Sequence, residues 1–377
     1  MHNPNSSIML TKDQWITLLL AVITSRIVFA AFGLIGTYSF NPEAVKDVDI
    51  WHQMCRFDCV WFRRIAEDGY ALVPSYMRQS NGANWAFMPM SPYLAKTVNY
   101  VVNNINLSLV LVSNVTLIAG TAALVMALKQ MKLSNNAQDT AIWLMCFSPY
   151  TVYSLAGYSE PLYIALVAGL FITCYRQNWL LVAVLGMLAA VTRNLGVMLV
   201  FSVLIIGIQH YGLSSFYRFK TRSLAVIAAI WVIPLGFFTY MAYLYFHMGD
   251  ALAFGHIQVA WGRTFSNPFV WLEYGFERGG PKLYLTIVSL LGFALNGYLI
   301  YKKRYAEALF MFINLVIPLS SGVNAMPRYI FGLYPTYLAI ILLLESYPRA
   351  KMPVLLCGAA MSTFISIGFF SSSFFTV

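Results

Sequence analysis

Charged residues are scarce in this chain. Of its 377 residues only 10% are Asp, Glu, Lys or Arg, where a soluble domain carries about 25%. Too little polar surface remains to clothe a globule in water, so a water-soluble fold is excluded. Cysteine is sparse as well. Of the five cysteines, Cys146, Cys174 and Cys357 fall inside apolar runs, which is not a disulfide framework. There is no low-complexity segment, long linker, soluble domain or convincing internal repeat. The formal net charge is +10, but the basic residues are scattered between apolar runs, at most three together (Lys302-Lys303-Arg304). A dispersed charge of this kind excludes nucleic acid as a partner.

What the chain has is apolar length. It is 59% hydrophobic, with a mean hydropathy of +0.68. A spanning helix needs roughly 20 predominantly apolar residues. About eleven runs approach this, near 13–35, 105–128, 139–156, 160–175, 178–192, 194–211, 223–247, 283–301, 305–320, 328–345 and 353–375. The expected fold is all-α, a polytopic transmembrane bundle of about eleven spans forming one domain over 1–377. The first run exceeds a signal-peptide core and lacks a small-residue cleavage site, so it reads as a retained helix. Two connections are long: 36–104, expected to carry interfacial helices, and 248–282.

Orientation follows from Lys and Arg in the short connections. With the N-terminus in the cytoplasm, 12 basic and four acidic residues fall inside, while 11 basic and 10 acidic residues, Lys46 and Arg78 among them, fall outside. Both long connections then lie on the outer face. Nucleotide sugars and ATP are cytoplasmic, so chemistry out there needs a substrate already carried across, most simply one attached to a lipid.

The first outer connection holds Cys55-Arg56-Phe57-Asp58-Cys59-Val60-Trp61-Phe62-Arg63-Arg64-Ile65, ending at Gly69-Tyr70. Read as one helix, it places Asp58, Trp61, Phe62 and Ile65 on a single face, and Gly69 is a natural stop. Asp58 is then a carboxylate held against an apolar face near the interface. It suits either a general base or a structural ion pair. His52, Cys55 and Cys59 could share a helix face, but no fourth ligand is near and zinc is not expected. A Cys55–Cys59 disulfide within one helix is not expected on geometry. The segment from Asn84 to Tyr93, with two prolines and three aromatics, reads as a broken interfacial anchor.

Polar residues also punctuate the outer ends of later runs. Ser159 is placed to cap the run that begins Glu160-Pro161, and Glu160 complements its dipole or binds substrate. Arg193 sits between two runs with almost no loop. It either reaches to water or offers a bidentate fork to a lipid phosphate. In 248–282, His256 and Arg263 share one helix face, Gln258 and Trp261 another. His256 has no Cys or Asp at metal-ligand spacing there, so a metal site is not expected. Arg328 follows Pro327 at the start of a run, and is either a second phosphate clamp or an ordinary interfacial arginine.

Taken in order, these segments resemble a known family. They are Asp58 with Trp61, Phe62, Ile65-Ala66 and Gly69-Tyr70; Ala86-Phe87-Met88-Pro89; Ser148-Pro149; Tyr158-Ser159-Glu160-Pro161-Leu162; Thr192-Arg193; Ala253-Phe254 with His256, Gln258 and Trp261; and Pro327-Arg328-Tyr329. Their joint order, from about residue 50 to 340, resembles the PIG-V or GPI mannosyltransferase 2 family within the GT-C glycosyltransferases. Phe57-Asp58 stands where that family usually has Trp-Asp, and Cys55 and Cys59 are departures from it. The chain is compact for a eukaryotic member, so it looks like a prokaryotic relative.

The resemblance implies a GT-C fold and transfer of mannose from a polyprenyl-phosphate donor to a lipid-linked or surface glycan. It places Asp58 as the base. Trp61, Arg64, Glu160, Arg193, His256, Gln258, Arg263 and Arg328 are the candidate substrate-binding residues. One base without a covalent intermediate implies inversion. Phosphate is already a good leaving group, so neither metal nor other cofactor is expected. The expected setting is a bacterial inner membrane, with a cytoplasmic N-terminus, a periplasmic site and membrane lipids around it. The competing expectation is a multi-span transporter or lipid flippase, against which stands the clustering of polar residues at the outer ends of runs.

Overall fold

Apolar runs this long, without water to satisfy their backbone, must close their hydrogen bonds internally, and they fold as helix. The computed structural model describes residues 8–40, 42, 49–75 and 81–371. Among these every regular element is helical and none is a strand. Lys46, Arg78 and the end of the 353–375 run lie outside the described residues.

Six helices are long and apolar enough to cross a membrane: Lys12–Phe40, Ile105–Gln130, Asn194–Tyr211, Thr221–Met248, Gly280–Tyr301 and Pro348–Phe370. Their outer faces are apolar and exposed, as at Leu20, Ile27 and Ile35 of the first and Trp231, Phe238 and Phe246 of the fourth. Water would not tolerate so much apolar surface; lipid does. The chain is an integral membrane protein. Small residues let the helices approach closely. A Cβ on Gly236 would lie 2.2 Å from the Met187 carbonyl, and one on Gly186 would strike Ile233.

The remaining runs are shorter helices: Asn135–Phe147, Glu160–Tyr175, Trp179–Thr192, Tyr305–Leu319 and Tyr334–Ser346. At 13–16 residues they reach about 20–24 Å, less than the ~30 Å hydrocarbon core. Six of the expected runs therefore have full spanning length among the described residues, and the others are shorter. The 139–156 run breaks at Ser148-Pro149 and resumes as the single turn Val152–Leu155. The 328–345 run breaks at Gly332-Leu333 between Met326–Phe331 and Tyr334–Ser346. All these short helices stop or start at one end of the bundle, away from the basic connections at Lys129, Arg176 and Lys302. They leave a hollow there.

Over that hollow lie the two long connections. The first contributes Ile50–Met54, Asp58–Asp68, the turn Asn84–Ala86 and Met90–Val102; the second Ala253–His256, Ile257–Trp261 and Pro268–Arg278. The Asn84–Tyr93 segment is not a lipid anchor throughout. Trp85 is buried, and its carbonyl accepts from the Tyr240 hydroxyl at 2.7 Å. The Phe87 carbonyl accepts from Tyr70.

Candidate active site

The hollow encloses a cavity of about 1540 Å³. Its floor is a chain of alternating charges. Arg328 Nη1 lies 2.7 Å from Asp58 Oδ2. Arg328 Nε lies 3.1 Å from Glu160 Oε1, an electrostatic contact rather than an aligned hydrogen bond. Arg193 Nη1 reaches the same Glu160 oxygen at 2.8 Å. Four residues spread over 270 positions of sequence thus meet as Asp58–Arg328–Glu160–Arg193. The two inner members are the more enclosed. The side chains of Glu160 and Arg328 are 7% and 8% exposed, while those of Asp58 and Arg193 keep 18% and 19%. The outer two are the ones open to a substrate.

Each is delivered by a break in a helix. Asp58 begins the helix Asp58–Asp68, and the preceding Phe57 turns the chain with φ +52 and ψ −117. That conformation costs a non-glycine residue roughly 1–3 kcal/mol and persists only where surroundings enforce it. Tyr158 is the enforcing group: its hydroxyl accepts from the Asp58 amide at 3.3 Å and donates to the Arg56 carbonyl at 3.1 Å. Burial, with Asp58 close by, pushes the Tyr158 phenol well up, so it remains a neutral O–H that can do both. Arg193 stands extended where Trp179–Thr192 ends and a 3₁₀ turn begins. Arg328 lies in the short helix Met326–Phe331, whose first turn carries Pro327 as expected. Glu160 opens Glu160–Tyr175. Ser159 holds the capping position, but its side chain makes no cap bond.

The cavity is electropositive. Among the described residues five cations line it (Arg56, Arg193, Arg263, Lys282 and Arg328) against the carboxylates of Asp58 and Glu160. Tyr329 reports the field. Burial opposes ionisation of its phenol, yet Arg263, Arg328 and Arg193 together draw it below its ordinary value. Its ring lies 5.4 Å from the Arg193 guanidinium and 5.6 Å from that of Arg328. Such a field suits an anion, and forked guanidiniums suit phosphate in particular.

Trp61, Gln258 and Arg263 also line the cavity. Trp61 packs against Phe87 and Trp261, and Arg263 donates to Gln258 Oε1 at 2.8 Å. Two candidates lie elsewhere. His256 is largely exposed and pairs with Asp250 at 2.7 Å; its hydrogen bond holds the Asp250 carboxyl below the usual range. It shares no helix face with Arg263, because the helix stops at His256, continues as a 3₁₀ turn and ends at the left-handed Gly262. A 3₁₀ turn has three residues per turn and destroys the seven-residue alignment. Arg64 points to the far side of Trp61, donates to Ser75 at 2.8 Å and lines a separate hollow of about 290 Å³.

Cys55 and Cys59 are joined in a disulfide with Cα atoms 5.0 Å apart, which corrects the expectation. The two do not share one helix. Cys55 ends Ile50–Met54, Cys59 lies in Asp58–Asp68, and the Phe57 turn folds one against the other. The helix Pro268–Arg278 was also not anticipated. It turns Trp271 and Tyr274 toward the cavity and Phe269 and Phe276 outward. Asn267 caps it ahead of Pro268, the signal that could have revealed it.

No protein-family model matches the chain, and no curated protein matches it. Among solved structures it is similar to the archaeal oligosaccharyltransferase AglB from Archaeoglobus fulgidus, in complex with an inhibitory peptide and a dolichol-phosphate. That match has a TM-score of 0.46 and 10% identity, over 95% of this chain and 56% of that one. The apo form of the Archaeoglobus fulgidus oligosaccharyltransferase matches with a TM-score of 0.42 and 11% identity, over 92% and 56%. The chain spans just over half the length of these structures.

Proposed function

We propose that this protein is an inverting glycosyltransferase that moves a sugar from a polyprenyl-phosphate donor to a glycan acceptor in the outer half of the bilayer. The observation that carries this reading is the linked set Asp58–Arg328–Glu160–Arg193 on the floor of a large electropositive cavity.

The chemistry divides among these residues by exposure. Asp58 accepts the proton of an acceptor hydroxyl as that oxygen attacks the anomeric carbon. The bond from that carbon to the phosphate oxygen breaks, and polyprenyl phosphate leaves with the electron pair. Arg193, with Arg263 across the cavity, receives the developing charge. Arg328 has Nη1 on Asp58 and Nε on Glu160, so it acts as the strut that fixes the base rather than as the phosphate fork. Because the short helices stop part-way across, the site lies below the membrane surface, where a lipid-borne phosphate arrives without leaving the bilayer. The motif order resembling the PIG-V family favours mannose as the sugar.

Two features favour placing this end outside. The basic connections lie at the other end. The Cys55–Cys59 disulfide lies at this one, and disulfides persist in oxidising compartments.

The test is transfer of label from radiolabelled polyprenyl-phosphate mannose to membrane glycolipid by the reconstituted protein. Asp58→Asn should lower the rate about a hundredfold or more while the protein keeps its melting temperature within a few degrees. A variant as active as wild type removes Asp58 from the base role. Solute flux without sugar transfer favours the transporter reading instead.

A further inference from the structure

We propose that the Cys55–Cys59 disulfide and Tyr158 form a redox-sensitive clamp that positions the Asp58 carboxylate. The inference rests on the reading of Asp58 as the base.

A disulfide so short in sequence does little for the fold at large. It closes a loop of only a few residues, and the chain entropy removed from the unfolded state is smallest for the shortest loops. Its effect is local, and what it encloses is the turn that presents Asp58. Cys55 caps the helix Ile50–Met54, and Cys59 follows Asp58 directly. Between them Phe57 holds its positive φ, with its ring against Phe369. Tyr158 secures the same turn from beneath, bonded to the amide of Asp58 and the carbonyl of Arg56. The neighbouring Gly157 brings the backbone so close that a Cβ there would lie 3.1 Å from the Cys59 sulfur. One stretch, Gly157-Tyr158, therefore supports the disulfide and the turn together, and two residues later it delivers Glu160 to Arg328. Cys55 lines the cavity, but both cysteines are buried, at 3% and 0% exposed, so a small dithiol reaches the bond from the cavity side as the turn opens. Reduction breaks the Sγ–Sγ bond. The dithiol supplies two electrons and two protons, closes to its own disulfide and leaves two thiols.

With the bond open, the strained turn keeps the phenol but loses its covalent closure, and Asp58 drifts from Arg328. A displacement of this kind costs rate more than binding. The experiment measures carbodiimide labelling of carboxylates by mass spectrometry on the full-length protein in nanodiscs, before and after dithiothreitol. Labelling of Asp58 should rise about tenfold on reduction, matching the loss of rate that misplacement of a catalytic group brings. Exposed Glu67 and Asp68, and buried Glu307, should not change. The Cys55→Ser/Cys59→Ser variant should behave like the reduced protein, and Tyr158→Phe should shift in the same direction. In the transfer assay, reduction should lower kcat about tenfold at a donor KM within about twofold, and reoxidation should restore it. Unchanged Asp58 labelling in protein whose thiols are shown to be free overturns the clamp. A parallel rise at Glu307 also overturns it, since that is general opening. If labelling responds but wild-type protein transfers no sugar, the clamp stands and the transfer reading falls.

Discussion

Two buried ion-pair networks sit at opposite ends of one helix, about 22 Å apart along Glu160–Tyr175. At the end with the basic connections, Glu307 is fully buried and paired with Arg304. The Tyr175 hydroxyl lies 3.1 Å from each of its oxygens, and the Arg304 guanidinium covers the Tyr175 ring at 4.7 Å. At the other end, Glu160 receives two arginines on one oxygen, while Oε2 has no hydrogen-bond partner among the described residues. In the first network both carboxylate oxygens are satisfied, although Arg304 Nε has no hydrogen-bond partner among the described residues. The second opens on the cavity through its outer members Asp58 and Arg193, while the unpaired Glu160 oxygen is itself buried. Buried polar groups are normally satisfied, so the residue types do not distinguish structure from function here. What distinguishes them is whether the network borders the cavity.

Matched substitutions should therefore give opposite readouts at the two ends. The larger effect on transfer comes from the open network. Arg193→Ala should lower kcat/KM for the polyprenyl-phosphate donor about a hundredfold, with the melting temperature nearly unchanged, because Glu160 keeps Arg328. Arg193→Lys should recover only part of this, since an ammonium cannot reproduce the forked contact. A melting temperature that collapses with Arg193→Ala would make the open network structural after all. At the Glu307 network the pattern reverses. Glu307→Gln strands Arg304 in the interior and should destabilise the protein by about 3 kcal/mol, read as a lower thermal midpoint. Transfer per folded molecule should stay within about twofold. A large loss of kcat without a thermal shift would show that the two ends are coupled.

Much of this geometry was legible in the sequence, for identifiable reasons. Apolar runs with a charged residue at one end announce both the helix and the level of the charge. On that basis Glu160, Arg193 and Arg328 are read at the outer ends of runs; Asp58, read in the first outer connection and placed as the base by the resemblance, meets them within ion-pair distance. The reading failed where it assumed that a helix continues. Residues 55–70 look like one helix, yet Phe57 takes a positive φ that nothing in its neighbours foretells, and the disulfide follows from that break. The His256–Arg263 face failed the same way. The break at Ser148-Pro149 was hidden too: 139–156 is apolar enough to pass as a single span, yet its helix ends at Phe147. Tyr329 lay beyond reach for another reason. Its environment is set by the adjacent Arg328 together with Arg263 and Arg193 from two distant segments, and no local pattern encodes the distant pair.

Tyr329 also supplies the smallest and most specific test of the open network. Its phenol ionises below the ordinary 10.0 because the Arg263, Arg328 and Arg193 field overcomes the opposing effect of burial. A depressed folded value means that its contribution to stability is complete above 10.0 and fades as pH falls through the folded value. A phosphate bound among those guanidiniums would cancel the field and return the phenol toward its ordinary value. By linkage, the affinity for polyprenyl phosphate must then weaken as pH rises through the Tyr329 transition. A lipid that makes the phenol about tenfold less acidic loses at most about tenfold in affinity across it. The measurement is phenolate absorbance of wild type minus Tyr329→Phe, titrated with and without polyprenyl phosphate. The expected outcome is an upward displacement with the lipid present. A titration that the lipid leaves in place would mean that its phosphate binds away from these arginines.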